Sequence, residues 1–373
     1  MLVSDLRNNI INSLTKQGFS VNGFVEPLKQ NKNSFRRIQT FSRYEQIKLQ
    51  KNFIENGYET VKKYTINGIN INPSEIKLEL RIVDAGTEEE IIYRWWNLIW
   101  WSVPYQKAYG RQMRFILWDV THNAPFGLIG LQSPVLKMSV RDDYLKMPKD
   151  ELDIWVNMSM QAQRLGALPP YNQLLGGKMV ALSITSNELR KAYKKKYKNV
   201  KTLMENRYIE PELLFVTTTS AFGKSSIYNR LKFNGETVAK SLGFTKGSGT
   251  LHISQEIYSE IQKYLLKRGV CVSTTFGNGP SRKIKLLNKA LTMLKLNEYS
   301  YHNILREFFL FPLAKNLNNV INKEVKPYYY NRKLNNLTDF WKERWCVPRS
   351  FRFDEWKKFN GKRFIYYQKS KLI

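Results

Sequence analysis

Two extended runs, Met113–Val120 and Phe126–Gln132, flank the turn Thr121–Pro125 with Asn123 at its tip. Runs of this length, rich in β-branched and aromatic residues and joined by turn formers, read as a β-hairpin. A sheet begins here. Leu213–Thr219, LLFVTTT, reads as a further, buried strand. The segments before and after carry helical periodicity instead. Leu6, Ile10, Ile11 and Leu14 fall on one stripe, and Ser42–Tyr64 carries another. Ile66–Leu80 holds turns and short extended pieces. The acidic run Thr87–Glu90 suits a helix N-terminus, where the dipole favours carboxylates. That helix leads into Tyr93–Trp101, whose tryptophans are read as core or as a protein interface, with base stacking as the competing reading. Ser254–Arg268 and Ser281–Leu296 are read as helices, the second after a break at Gly277–Pro280 and with Ile284, Leu287, Leu291 and Leu294 inward. His302–Val320 is read as helical and interrupted at Pro312. The fold class is α/β or α+β: a helical region 1–105, a central mixed sheet with helices over 106–255, and a helical, basic, aromatic-rich region 256–373.

Charge narrows the function. Lys and Arg number 60 against 31 Asp and Glu, a formal charge of +29. Such an excess repels itself unless a polyanion takes it up, so nucleic acid is the first partner to consider. The longest apolar runs are too short to span a bilayer, and the N-terminus lacks an apolar signal core. Two cysteines and three histidines without Cys-x-x-Cys make neither a disulfide framework nor a zinc site. A cytoplasmic protein is expected, with no membrane partner and no named cofactor or metal.

The densest motif is Pro169–Lys201. Gly176-Gly177-Lys178 opens a run able to be helical, and helix N-termini present unbonded N–H groups to anions. Close backbone packing is the competing reading of the two glycines. Thr185 with Glu188 reads as a capping box. Leu189, Ala192, Tyr193 and Tyr197 then share one face. Arg190, Lys191, Lys194, Lys195 and Lys198 lie on the others and are expected to follow a polyanion. A second basic helix offers Arg282, Lys283, Lys285 and Lys289. The aromatic tail adds Arg349, Arg352, Lys357 and Lys358, cations for phosphates beside rings for bases.

After the strand at Leu213–Thr219 comes Ser220–Ser226, and a helix is expected at Ile227–Leu231. Gly223-Lys224-Ser225 resembles the end of a phosphate-binding loop, but its first glycine is replaced by Thr218. Two loops are expected to face each other. Gly176, Gly177, Lys178, Thr218, Thr219, Lys224 and Ser226 are the candidate anion ligands. Tyr171, Asn172, Ser225, Tyr228, Asn229 and Arg230 are the candidate catalytic groups. For a metal nuclease, which needs clustered carboxylates, the candidates are Asp119 and Asp142, with Asp143 beside them.

The stretches ALPPYNQLLGGKMVAL, VTTTSAFGKSSIYNRLK, GFTKGSGTLH, VPYQKAYGRQMRFILWD, PFGLIGLQSP and RWCVPRSFRFDEW, with Val140-Arg141-Asp142, resemble the family that supplies the first component of the Druantia anti-phage defence system. The resemblance covers nearly the whole chain. It implies a multi-component defence complex with a large helicase as companion, and a domain shared with some transposase-like proteins. It also implies a central core similar to the acyl-CoA N-acyltransferase (GNAT) fold, with Gly176, Gly177 and Lys178 at the pyrophosphate loop. The chain departs from that loop's usual pattern, and has RDDYLKMP where a tryptophan is common. The function expected is a DNA-binding component that recognises shape, single strands or ends through phosphates, with or without a phosphate-chemistry centre. The alternatives are a GNAT-like acyltransferase using Tyr171 or His252, a metal-dependent nuclease, and a scaffold that holds a helicase through Trp95–Trp101.

Overall fold

The computed structural model describes residues 3–101, 103, 110–202, 205–250, 252–272, 282–323 and 325–370. The expected break at Gly277–Pro280 lies outside them. Among the described residues, seven strands form one mixed sheet: β1 (Leu78–Ile82), β2 (Gln112–Asp119), β3 (Ala124–Gln132), β4 (Ser159–Ala167), β5 (Phe215–Thr219), β6 (Lys240–Phe244) and β7 (Glu307–Pro312). Their order is β6-β7-β5-β4-β3-β2-β1. Every neighbouring pair is antiparallel except β4 with β5. The expected hairpin is β2–β3, with Asn123 at φ +49° in the turn. The sheet draws β1 from residues 1–105 and β7 from residues 256–373.

The strands at the centre are covered on both faces. On β2, Phe115 and Leu117 join one core while Ile116 and Trp118 join another, as the two-residue period of a strand requires. The first core is closed by α4 (Gly176–Ser183) and α8 (Leu334–Trp341). The second is closed by α3 (Glu88–Ile99), which Thr87 caps by accepting from the Glu90 N–H. Trp95 and Trp96 are buried there, so this pair is core. A third cluster joins α1 (Val3–Gln17), α2 (Lys32–Leu49), α6 (Gln255–Leu266) and α7 (Arg282–Met293). Segments far apart in sequence thus share one helical cluster. A short hairpin, Phe19–Val21 with Val25–Pro27, interrupts the helical N-terminal region.

Three local expectations are corrected. The segment read as helical over His302–Val320 contains β7, followed by a helix at Leu317–Lys323. Phe308-Phe309-Leu310-Phe311 is a continuous apolar run because it lies between β5 and β6, buried on both faces. Ile227–Leu231 is a turn, with Arg230 at φ +61° and the Ser225 hydroxyl accepting from the Ile227 and Tyr228 N–H groups. Helix α5 (Asn187–Tyr197) is capped by Ser186, which accepts from Leu189 N–H. The Thr185 hydroxyl instead donates to Leu182 O, and Glu188 accepts from the Leu334 N–H.

Candidate nucleic-acid interface

The two loops expected to face each other do meet, and Ile227, which carries no sequence signal, joins them. The Ile227 side chain covers Gly177, and Lys178 Nζ donates to Ile227 O at 3.5 Å. Gly176 itself is buried. A Cβ there would stand 2.6 Å from Tyr171 O and 2.9 Å from the Ala167 Cβ. The first glycine of the pair therefore serves close packing of α4 on the sheet, and the expected Gly-Gly anion cradle is not formed around it.

The chemistry gathers one residue later. Lys178 lies over the Trp345 ring, 5.0 Å from its centroid, and Arg344 lies 6.0 Å from the same ring. Neither cation has an ion pair with a carboxylate among the described residues. Burial, then the neighbouring Arg344 charge, hold the Lys178 ammonium below its ordinary pKa. Trp345 and Arg344 stand in a wide π-type turn, Lys342–Cys346, which links α8 to the helix Val347–Arg352. The Trp341 indole donates to Leu175 O and fixes this turn beside the start of α4. Nearby, Arg349 donates to Gln173 O and stacks on Phe353 at 4.1 Å, with Arg352 and Phe351 exposed. The arrangement is an aromatic face flanked by unneutralised cations, which suits a phosphate beside a base.

The candidate catalytic groups are placed differently. Tyr171 is fully buried and donates to Asp119 Oδ2 at 2.8 Å, with its pKa raised by burial and then by that carboxylate. Asp119 also accepts from the Thr121 N–H and from His122 Nδ1. His122 Nε2 accepts from the Asn72 N–H, so the ring proton sits on Nδ1 and both nitrogens are committed. This network ties down the β2–β3 turn. Asp142 receives the Arg141 guanidinium and the Met138 N–H, capping its own short helix. Asp119 pairs with Ala124, the first residue of β3, whereas Asp142 lies on the helix Ser139–Leu145 that follows the last, β3 itself being roughly 27 Å long at about 3.4 Å per residue. Asp143 follows Asp142 on the same short helix, at that same end. The carboxylates grouped for a metal nuclease are not brought together. Asn172 is half-buried beside Tyr171.

The second loop is organised by Glu307, a carboxylate that sequence reasoning missed because it lies inside the run His302–Val320 read as helical, where it opens β7. Its Oε2 accepts from Ser225 N–H at 3.0 Å and from the Asn229 amide at 3.4 Å, and its Oε1 from the Ser241 hydroxyl at 2.8 Å. Its own N–H donates to Ser220 Oγ. A lone acid before an apolar strand was the available signal. Thr218 is buried and donates to Ala162 O, while Thr219 is half-buried. Lys224, Ser226 and Arg230 are exposed on the turn. Beyond Ala162, β4 has no β5 partner, and Tyr228 lies there with its hydroxyl reaching Leu165 O at 3.5 Å. Tyr228 is buried and its pKa is raised by that burial. His252 is buried as well and bonds Tyr299 O through Nε2 at 2.7 Å.

The basic helices divide into used and open cations. Lys194 pairs with Glu212 and Glu210, and Arg190 stacks on Tyr329 at 3.9 Å. Lys283 is half-buried over Tyr258, with its pKa lowered by burial, and Arg282 donates to Cys271 O. Lys357 and Lys358 pair with Asp354 and Glu355. Lys191, Lys195, Lys198, Lys285 and Lys289 are exposed. Among the described residues, no helix is long and apolar enough to cross a membrane, and no three metal-ligating side chains cluster.

Fold and face together define a basic α/β protein built on one mixed sheet, with an aromatic-cationic surface at the start of α4. The Druantia protein DruA family matches residues 29–323. A Druantia protein DruA from Escherichia coli (strain UMEA 4076-1) is 31% identical over 359 residues, covering 94% of this chain and 89% of that protein. The chain belongs to the Druantia protein DruA family. No solved structure matches it.

Proposed function

We propose that this protein is a nucleic-acid-binding component of an anti-phage defence system, acting in the cytoplasm with other components that include a large helicase. Its target is DNA, held through phosphates and stacked bases rather than read by sequence. The observation that carries the reading is the pair Lys178 and Arg344, both at the Trp345 ring and neither in an ion pair with a carboxylate among the described residues. Two like charges kept together at a ring raise each other's energy, and a phosphate relieves both. The excess of +29 supports the same partner. Binding, not chemistry, is the role that fits the site. Asp119, Asp142 and Glu307 are each engaged by neighbouring donors, and the two residues named for acyl transfer, Tyr171 and His252, are buried. Tyr228 is buried beside β4 beyond its last pairing with β5, its hydroxyl 3.5 Å from Leu165 O.

The test is binding of purified protein to matched duplex, forked, blunt-ended and single-stranded DNA over a salt series with magnesium, with product length checked. Salt-sensitive binding to intact DNA is expected. Absence of binding at about 50 mM salt, where phosphate contacts are strongest, would overturn the proposal. Cleaved product would replace it with a nuclease.

A further inference from the structure

Arg332 is 1% exposed, yet among the described residues none of its guanidinium nitrogens has a hydrogen-bond partner. A buried charge without hydrogen bonds is costly, and an arginine stays protonated rather than escape it. Among the described residues its one ionic neighbour is Glu236, with Oε2 at 3.7 Å, beyond hydrogen-bond reach. The other oxygen of Glu236 lies 3.7 Å from Lys315 Nζ. One carboxylate thus hangs loosely between two cations. It sits on an exposed hairpin, Lys232–Phe233 with Glu236–Thr237, whose two-residue strands hold it weakly. The cations are backed by rings: Arg332 stacks on Tyr330 at 3.9 Å, and Lys315 lies 5.4 Å from both Tyr328 and Tyr330. Tyr328 is 66% exposed.

We infer that Arg332 and Lys315 form an anion site closed by Glu236, and that a phosphate-bearing ligand displaces this carboxylate. A phosphate offers more acceptor oxygens than a carboxylate and satisfies the orphan guanidinium bidentately. The site stands apart from Lys178 and Arg344, at the other end of α8, which is about 12 Å long at 1.5 Å per residue. The ligand class, a phosphodiester, rests on the function proposed above; the notch itself does not.

The test uses the full chain and the variants Glu236→Gln, Glu236→Gln with Arg332→Gln, and Glu256→Gln as an exposed charge control on α6. A labelled 20-mer oligonucleotide and inorganic phosphate are the probes. Glu236→Gln is expected to bind the oligonucleotide about threefold tighter, the scale of a released surface ion pair, with Glu256→Gln changing less and the double variant losing the gain. Phosphate is expected to raise the melting temperature of Glu236→Gln more than that of the double variant. If only the phosphate effect appears, the ligand is a free phosphate. If wild-type protein binds no oligonucleotide, the proposed function fails while the phosphate arm still decides the notch. Should Arg332→Gln not fold, Lys315→Ala takes its place. An oligonucleotide affinity unchanged by Glu236→Gln, together with no phosphate stabilisation, overturns the inference.

Discussion

Replacing Lys178 and Arg344 together by glutamine removes two cations from the Trp345 face while keeping much of their stems. Each cation that neutralises a phosphate adds about 0.9 to the log–log salt slope on duplex and about 0.7 on single strands. Two contacts therefore amount to a slope loss of about 1.8 on duplex or 1.4 on single-stranded DNA. Between 50 and 200 mM salt, wild-type affinity is expected to fall about 12-fold or 7-fold more steeply than that of the variant. Fluorescence anisotropy over a salt series reads the slope, and thermal melting checks that the fold survives. The single change Arg344→Gln adds an independent readout, because the neighbouring charge depresses Lys178. The Lys178 pKa should rise toward its ordinary value. A slope equal to wild type, with affinity lowered by the same factor at every salt concentration, would refute the reasoning. The two residues would then act on the fold and not on phosphates.

Further outcomes follow from the packing. Glu307→Ala leaves the Ser225 N–H, the Ser241 hydroxyl and the Asn229 amide without their acceptor. A loss of about 1–3 kcal/mol is expected in urea unfolding, the cost of orphaning one buried donor, because only the Ser225 N–H is buried while Asn229 and Ser241 are exposed to water. Gly176→Ala should destabilise by about 1–3 kcal/mol through overpacking against Tyr171 O, whereas Gly177→Ala meets only Ile227 Cδ1 at 3.3 Å and should change stability less. Equal effects would contradict the assignment of Gly176 to packing. His252 and His302 are held neutral by burial, with pKa values lowered to about 4 and about 3. The unfolded chain binds protons at these sites first, so stability is full above about pH 6.5 and falls as the pH drops toward those values. A decline on the order of 2 kcal/mol per histidine between pH 7 and pH 5 is expected in urea midpoints, and a flat profile would show that the rings protonate in place.

The local signals that rest on neighbouring residues were legible in the sequence. The β2–β3 hairpin, the Thr87 helix start and the buried stripe Leu189–Tyr193–Tyr197 depend on turn chemistry, capping and period, which a few adjacent residues specify. The charge that points to nucleic acid is a sum and needs no structure at all. The strand at Glu307–Pro312 was hidden because a short apolar run is the same pattern in a buried helix and a buried strand, and only its place between β5 and β6 decides. The aromatic-cationic face was hidden for a different reason. Lys178, Ile227 and Trp345 are brought together by α4 packing on the sheet and by the Trp341 indole bond to Leu175 O, which joins residues more than a hundred positions apart. Whether a lysine is paired with a carboxylate, as Lys194 is, or left facing a ring, as Lys178 is, depends on which distant acid folds beside it. Composition fixes how much charge the chain carries; tertiary packing fixes where that charge stays unpaired.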